Sequence, residues 1–592
     1  MSEKKSFSFD SLRLPLAMVL SLGVVLAYLY YDKKQSDAAA ENLKKSGYSS
    51  TNSTVAAPTP NAVTKPTAAE TSKPAVRALI ASGVPDKSVV LENEFLQVQF
   101  SSRGGAMVSN VLKDRQNIKS RNLINFEEAA LPGYESGILA LGTDPSQISE
   151  PTPYLVTEST ASSVTFRTTV EVNGQKLGLT KRYELKKHTV ELDLRIDNVP
   201  ENPKGILQGS LLLLNGSSIG PAINHDDKTQ FDVLTMAYIT DGKYETALQP
   251  GIGSGIASFF SSAPPVSYQK VPAPAEWIAL HNRFFMKGLK PAERKYQPVF
   301  FNAGPVTNHS PVSAYEVPYQ VSEGKPSTHR FTYYYLPKNR SLLNKYYDET
   351  GTQFFQIFEQ WDITRFIATP FYYFILWIHK LLPSFGFAIL IVTLLLKLAT
   401  WPLTQKSLVS MQKMQQLTPK MDEIRKKYKN DSQKVNAEMM ALYRKEKINP
   451  ASGCLPMLIP IPIFIALYSL FRSMVELDQE TFLWIKDLAL PDTVYRLPFN
   501  IPLGIGHNLN ILPIIMTITS YLQSFTTPQT ATSESQKQQM VILKWGMPIM
   551  FLFILWNMPS ALVLFWTLQN LFSWIQAIVT RKPKLSVLVA KK

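Results

Sequence analysis

Residues 386–403 read GFAILIVTLLLKLATWPL. Eighteen residues carrying one charge are long enough, as a helix rising 1.5 Å per residue, to cross a bilayer's hydrocarbon core. The one charge, Lys397, lies about 16 Å along that axis, near the middle of the membrane. An isolated ammonium at that depth is expensive, so it is expected to face a bundle interior or a water-filled cavity. The alternative is a shifted span in which Lys397 snorkels to the headgroups with Trp401 at the interface. Thr393, four residues earlier, shares its helical face.

Further apolar runs flank this one. Leu14–Tyr31 follows Lys4, Lys5 and Arg13 and reads as an uncleaved anchor rather than a cleaved signal peptide. Cys454–Phe471, Leu509–Phe525, Trp545–Trp556 and Ala561–Val579 complete a count of six spans. The fourth contains Pro513, with Thr517, Thr519 and Ser520 inside it, and the fifth is short unless Val541–Leu543 extend it past Lys544. Pro456, Pro460 and Pro462 crowd the start of the third, where each removes an amide donor, so an irregular start is expected. Trp566, Thr567, Gln569 and Asn570 give the last span a polar stripe.

Charge orients these spans. Residues 404–453 hold eleven Lys or Arg against five Asp or Glu, whereas residues 472–508 hold three against five. Basic loops stay in the cytoplasm, which places both chain ends inside and residues 32–384 outside. The net charge of +15 over 592 residues is therefore a topology signal, with no zinc-finger or other motif for sequence-specific nucleic-acid binding beside it. One cysteine, Cys454, excludes a disulfide framework within the chain.

The spans divide the chain into an anchor at 1–31, a tether at 32–87, an external domain at 88–340, interfacial helices at 341–384, a five-span core at 385–580 and a basic tail at 581–592. The tether is rich in Ala, Ser, Thr, Asn and Pro and cannot repay its ordering entropy by burial. In the external domain Val190, Leu192, Leu194 and Ile196 alternate with charged residues, as in a half-buried strand. Asn173-Gly174 signals a tight hairpin, and YYYL at 333–336 is a strand ending at Pro337. About 250 residues can form a two-sheet sandwich with its own core. His188 and His281 stand apart and read as ordinary domain histidines. Between residues 353 and 382, apolar and polar residues alternate imperfectly around Pro370, as in helices lying on a membrane face.

The inner segment 404–450 reads as a hairpin of two charged helices, divided by Pro419 and turning at Asn430-Asp431. Arg425, Lys426 and Lys427 give it a basic face. Met411, Met414, Met421, Met439 and Met440 give it an adaptable apolar one, suited either to docking proteins or to simple packing against the membrane face.

LLLKLATWPLTQKS, LTPKMDEIRKKY, AEMMALYRKEKINPASGCLPMLIPIPIFIALY and FLWIKDL together resemble the YidC/Oxa1/Alb3 membrane insertase family. RGGAMVSNVL and WIALHNRFF fit its Gram-negative bacterial form. The resemblance implies an α-helical polytopic protein of the inner membrane, with a five-span core around a hydrophilic groove and a large periplasmic β-supersandwich. It implies no enzyme chemistry and no cofactor. It places the groove cation on Lys397, where arginine is usual, so a planar bidentate fork is replaced by a point charge. The groove threonine falls on Thr393, and the aromatic pair of the last span on Phe565 and Trp566, neither of which offers a phenolic hydroxyl. Pro460 stands where glutamine is frequent. Implied partners are nascent membrane proteins, the Sec translocon, the ribosome and signal-recognition machinery, and phospholipids. Read from the residues alone, a solute transporter or channel and an anchored envelope-binding domain remain as rival functions. No acidic residue for a proton relay lies in the clear spans, which counts against a transporter.

Overall fold

A computed structural model describes residues 76–78, 86–113, 123–141, 151–172, 174–202, 205–220, 234–248, 268–303, 310–358, 362–428, 431–446, 460–501, 505–526 and 542–580. The anchor expected at 14–31, Pro456 and the basic tail lie outside these residues. The chain divides into a β-rich unit ending at Ile357 and a helical unit beginning at Phe358.

The β-rich unit is built from antiparallel sheets. The largest has ten strands, and its centre runs Ser163–Val172, Gln175–Lys186, Thr189–Asn198, Ser327–Pro337, Phe285–Pro291 and Trp277–His281 in spatial order. Its first edge strand is Val76–Ala78, paired with Ser163–Val172, so the segment expected as tether already contributes to the sheet before residue 88. The predicted alternation holds: Val190, Leu192, Leu194 and Ile196 are fully buried, each contributing about 1.5–3 kcal/mol. Val172 pairs with Gln175 across a two-residue turn in which Gly174 has φ +77°, the left-handed geometry that a tight hairpin requires. A five-stranded sheet packs on the large one through Tyr238 against Phe300 and Tyr296 and Tyr315 against Phe331.

RGGAMVSNVL acquires a physical role here. Gly104 and Gly105 turn with φ +75° and +51°, and a Cβ on Gly104 would overlap Ile138. Their carbonyls, with that of Gly137, accept hydrogen bonds from the buried Lys181 ammonium at 2.5, 3.3 and 2.6 Å. Nearby, the fully buried Lys287 meets Glu127 Oε1 at 2.8 Å, which also accepts from Asn110 at 3.1 Å. Burial pushes the Glu127 carboxyl up and the Lys287 ammonium down. The pair therefore survives on mutual attraction and on the hydrogen bonds around it. Sequence reading did not find it, because residues 160 apart in the chain carry no spacing signal.

His188, His281 and His329 are interior residues. His188 packs on Phe95 and Tyr346, and His281 meets Tyr244 Oη at 2.9 Å. His329 lies between Tyr296 Oη and Ser327 Oγ, each at 2.9 Å, and burial lowers its pKa from 6.5 to about 4. Between those values the unfolded chain takes up a proton that the folded one refuses. Stability therefore rises with pH through this window and is complete above it. The urea midpoint of the β-rich unit, followed by circular dichroism, is expected to fall from pH 7 to pH 4.5. His329→Gln should shrink that difference.

The interfacial segment expected at 341–384 is divided by the structure. Helix α1, Arg340–Thr350, belongs to the β-rich unit: Leu343 and Tyr346 are buried, and the left-handed Gly351 ends it. Phe354 then packs on Trp277 and Tyr334. The remainder is one helix, α2, Asp362–His379, which continues through Pro370. Its Ala368, Tyr372, Ile375 and Ile378 are buried at helical spacing, and packing on neighbouring helices offsets the hydrogen bond that the proline removes.

Helix α3, Phe385–Gln416, runs past Trp401-Pro402, where the span was expected to end, and carries straight into the inner hairpin. The hairpin proper is α4, Thr418–Lys427, and α5, Ser432–Lys445, with Asp431 capping the second through Lys434 N at 3.0 Å. Met414, Met421 and Met439 form its core with Leu417, packed within the hairpin itself. Met440 is exposed and Met411 half-buried, while Lys426 and Lys427 are exposed beside a half-buried Arg425.

Then come α6, Pro460–Ser473, α7, Leu512–Thr526, α8, Met547–Leu555, and α9, Ser560–Thr580. Pro460 begins α6, with Pro462 in its first turn, and Pro513 occupies the first turn of α7. Neither helix is interrupted, because first-turn amides have no intrahelical acceptor to lose. A π-turn at Ile542–Gly546 lengthens the short fifth segment. Among the described residues, two helices, Phe385–Gln416 and Ser560–Val579, are long and apolar enough to cross a membrane, and the other apolar helices are shorter. Gly386 admits the Phe482 ring against the start of α3, where a Cβ would overlap it. Gly386→Ala is expected to cost about 1–3 kcal/mol through overpacking, read as a lower melting temperature in detergent. Adding Phe482→Leu should restore part of the loss.

Candidate functional site

Helix α9 packs against α3, α6 and α7, and the polar residues of three of these helices meet along it. Lys397 is only 5% exposed and donates to Ser573 Oγ at 2.8 Å. Ser573 in turn donates to Gln569 O at 2.7 Å. Among the described residues no carboxylate pairs with Lys397. Toward the hairpin end, Gln576 Nε2 lies 2.9 Å from Thr404 Oγ1 and 3.3 Å from Trp401 O. Toward the other end, Asn570 Nδ2 donates to Ser520 Oγ of α7 at 2.7 Å. Gln569 Oε1 is buried and has no partner among the described residues.

Thr393 is wholly buried and satisfied by its own helix, donating to Ile389 O at 2.6 Å. Thr517 and Thr567 do the same on α7 and α9. Such back-bonding lets hydroxyls sit inside an apolar bundle at little cost. Phe565 and Trp566 face other partners: Phe565 approaches Phe471, and Trp566 packs edge-on to Phe464 of α6 and near Phe551 of α8. Lys397 thus meets α9, with Thr393 one turn before it on α3, whereas the aromatic pair packs against α6 and α8. Ser573 and Gln576 were missed in the sequence. Ser573 follows Gln569 by four residues and Asn570 by three, and Gln576 follows Ser573 by three, which was the signal that they share one helical stripe.

The segment after α6 lies at the amino ends of α7 and α9. FLWIKDL leads to Asp492, whose Oδ2 accepts from Leu512 N, Ile511 N and Trp484 Nε1 at 2.6, 3.1 and 3.1 Å. Burial raises the Asp492 carboxyl, against those hydrogen bonds. Leu488 and Leu490 carbonyls accept from Ala561 N and Ser560 N at the start of α9. The motif therefore ties together the amino ends of α7 and α9.

Residues 377–586 match the family described as the 60Kd inner membrane protein, and residues 88–374 match the YidC periplasmic domain. The membrane protein insertase YidC of Janthinobacterium sp. is 32% identical over 426 residues, covering 69% of this chain and 67% of that one. The chain belongs to the YidC family of membrane protein insertases. A second YidC, from Syntrophobacter fumaroxidans, is 38% identical over 305 residues, and that alignment spans 53% of the relative and 51% of this YidC-family chain. A crystal structure titled as an active YidC insertase is 19% identical, with a TM-score of 0.33 over 84% of this chain and 93% of that one.

Proposed function

We propose that this insertase moves the polar flank of a nascent membrane segment through the seam around Lys397, while the apolar segment slides between α6 and α9 into lipid. The observation that carries the reading is a buried ammonium held by a neutral hydroxyl, with no carboxylate to neutralise it among the described residues. In a low-dielectric bundle such a cation attracts acidic groups far more strongly than it would in water. Thr393 shapes the wall beside it, and Phe565 and Trp566 line the apolar exit. No covalent bond changes. Burial of the substrate's apolar residues supplies the driving force, and a membrane potential favours outward movement of an acidic flank by ~2.3 kcal/mol per charge per 100 mV.

In this reading the chain crosses the inner membrane six times, with both ends in the cytoplasm and the β-rich unit, a supersandwich, in the periplasm. The proline-shaped start of α6 forms part of the exit. The basic hairpin, with Arg425, Lys426, Lys427 and the accessible Met411 and Met440, receives ribosome-borne substrates and meets anionic lipid. The Sec translocon shares larger substrates. Purified protein in proteoliposomes without translocon components should protect a small single-span substrate with an acidic outer flank from added protease. Protection no greater than in empty liposomes would refute autonomous insertion.

A further inference from the structure

The segment between α6 and α7 contains an isolated two-stranded hairpin, Thr493–Ile501 paired with Gly506–Asn510. It sits at the amino end of α3, because the preceding Phe482 lies on Gly386 and Phe387. The basic α4–α5 hairpin follows the carboxyl end of the same 32-residue helix, about 48 Å away. Hydrogen bonds fix the strand pair to the bundle: Asn510 Nδ2 donates to Trp556 O at 2.6 Å, and Trp556 Nε1 to Asn508 O at 3.1 Å.

Its sequence suits no watery surface. Tyr495, Leu497, Phe499 and Ile501 recur with the period of a strand face, and Leu509 stands opposite Tyr495. Tyr495 is 60% exposed, Phe499 59% and the neighbouring Leu483 73%. A lone hairpin is marginal in water unless its apolar face is covered. The exposed apolar surface continues directly into Ile511 and Ile514 at the head of α7, so hairpin and apolar helix surface form one patch. Arg496, exposed between the two aromatic positions, makes no ion pair among the described residues.

We propose that this hairpin lies in the headgroup–acyl boundary of the leaflet at that end of the bundle, with Tyr495 and Phe499 submerged and Arg496 on lipid phosphates. It then acts as a depth anchor that fixes the height of Lys397 in the bilayer. Tyrosine is suited to that boundary, being apolar in its ring and wet at its hydroxyl. The inference rests on the reading of α3 as a membrane span.

The test uses the full chain carrying Cys454→Ser and one added cysteine, at Tyr495→Cys, Phe499→Cys, Leu395→Cys or Glu201→Cys. Each is labelled with an environment-sensitive fluorophore and reconstituted in phosphatidylethanolamine–phosphatidylglycerol vesicles containing nitroxide lipids. Labels at 495 and 499 should be quenched at least twofold more by a nitroxide near the headgroup than by one deep in the chains. The label at 395 should show the reverse, and that at 201 neither. If 495 and 499 behave like 201 while 395 is quenched deeply, the hairpin is in water or awaits a protein partner, and the anchor is refuted. If 395 also escapes quenching, the span reading falls with it.

Discussion

Lys397→Glu is expected to reduce insertion of an acidic-flanked, single-span substrate by roughly tenfold or more, while a neutral-flanked substrate loses little. With an effective dielectric near 20, a cation about 8 Å from a carboxylate contributes on the order of 2 kcal/mol, and reversing its sign turns that attraction into repulsion. Lys397→Gln should lose only the attraction and fall between wild type and the Glu variant. Lys397→Arg should retain most activity, since the charge matters here and Ser573 Oγ can accept from a guanidinium as well as from an ammonium. The readout is protease-protected substrate in proteoliposomes, compared across the two flanks. Equal loss on both flanks would assign Lys397 to bundle stability and not to substrate charge.

The second large effect lies in the β-rich unit. Lys287→Met should destabilise it by about 3–5 kcal/mol, because Glu127 is then left buried and unneutralised. Replacing both members, Lys287→Met with Glu127→Leu, removes the uncompensated charge and should recover much of the loss. Ser136 Oγ and Asn110 Nδ2 would still lose the carboxylate that accepts from them, so recovery should be incomplete. Urea midpoints of the four proteins, arranged as a double-mutant cycle, measure the coupling directly. Additive losses would show that the two side chains do not depend on one another.

Periodicity made the main features legible. Alternation at 190–197 marked a core strand, and Asn173-Gly174 a hairpin, because strand burial repeats every two residues and a tight turn demands a particular backbone. The apolar run around Lys397 marked its helix by length, since eighteen residues match the hydrocarbon thickness. Boundaries set by proline were less legible. Pro370 and Pro402 lie inside helices α2 and α3, since tertiary packing outweighs one lost hydrogen bond, whereas Pro419 does mark a break. The position of 340–357 on the β-rich unit depends on Phe354 meeting Trp277 and on Tyr346 meeting His188, contacts between residues far apart in the chain. At the candidate site Lys397 was visible as a charge in an apolar run. Its partner Ser573 was not read: its spacing from Gln569 and Asn570 puts it on their stripe, but only the contact itself shows which member of the stripe meets Lys397. FLWIKDL was visible as a motif, but its role in tying α7 to α9 appears only once Asp492 is seen on two backbone amides.

The most direct test of the central claim is site-specific photocrosslinking during insertion. A crosslinker at Gln569, whose side-chain oxygen is buried without a partner among the described residues, and one at Glu201 on the β-rich unit would each be challenged with a stalled acidic-flanked substrate. Crosslinks from 569 to the substrate's polar flank, absent from 201 and weakened by Lys397→Glu, are the predicted result. Efficient insertion with no crosslink from 569 would contradict the claim that the seam around Lys397 receives the substrate.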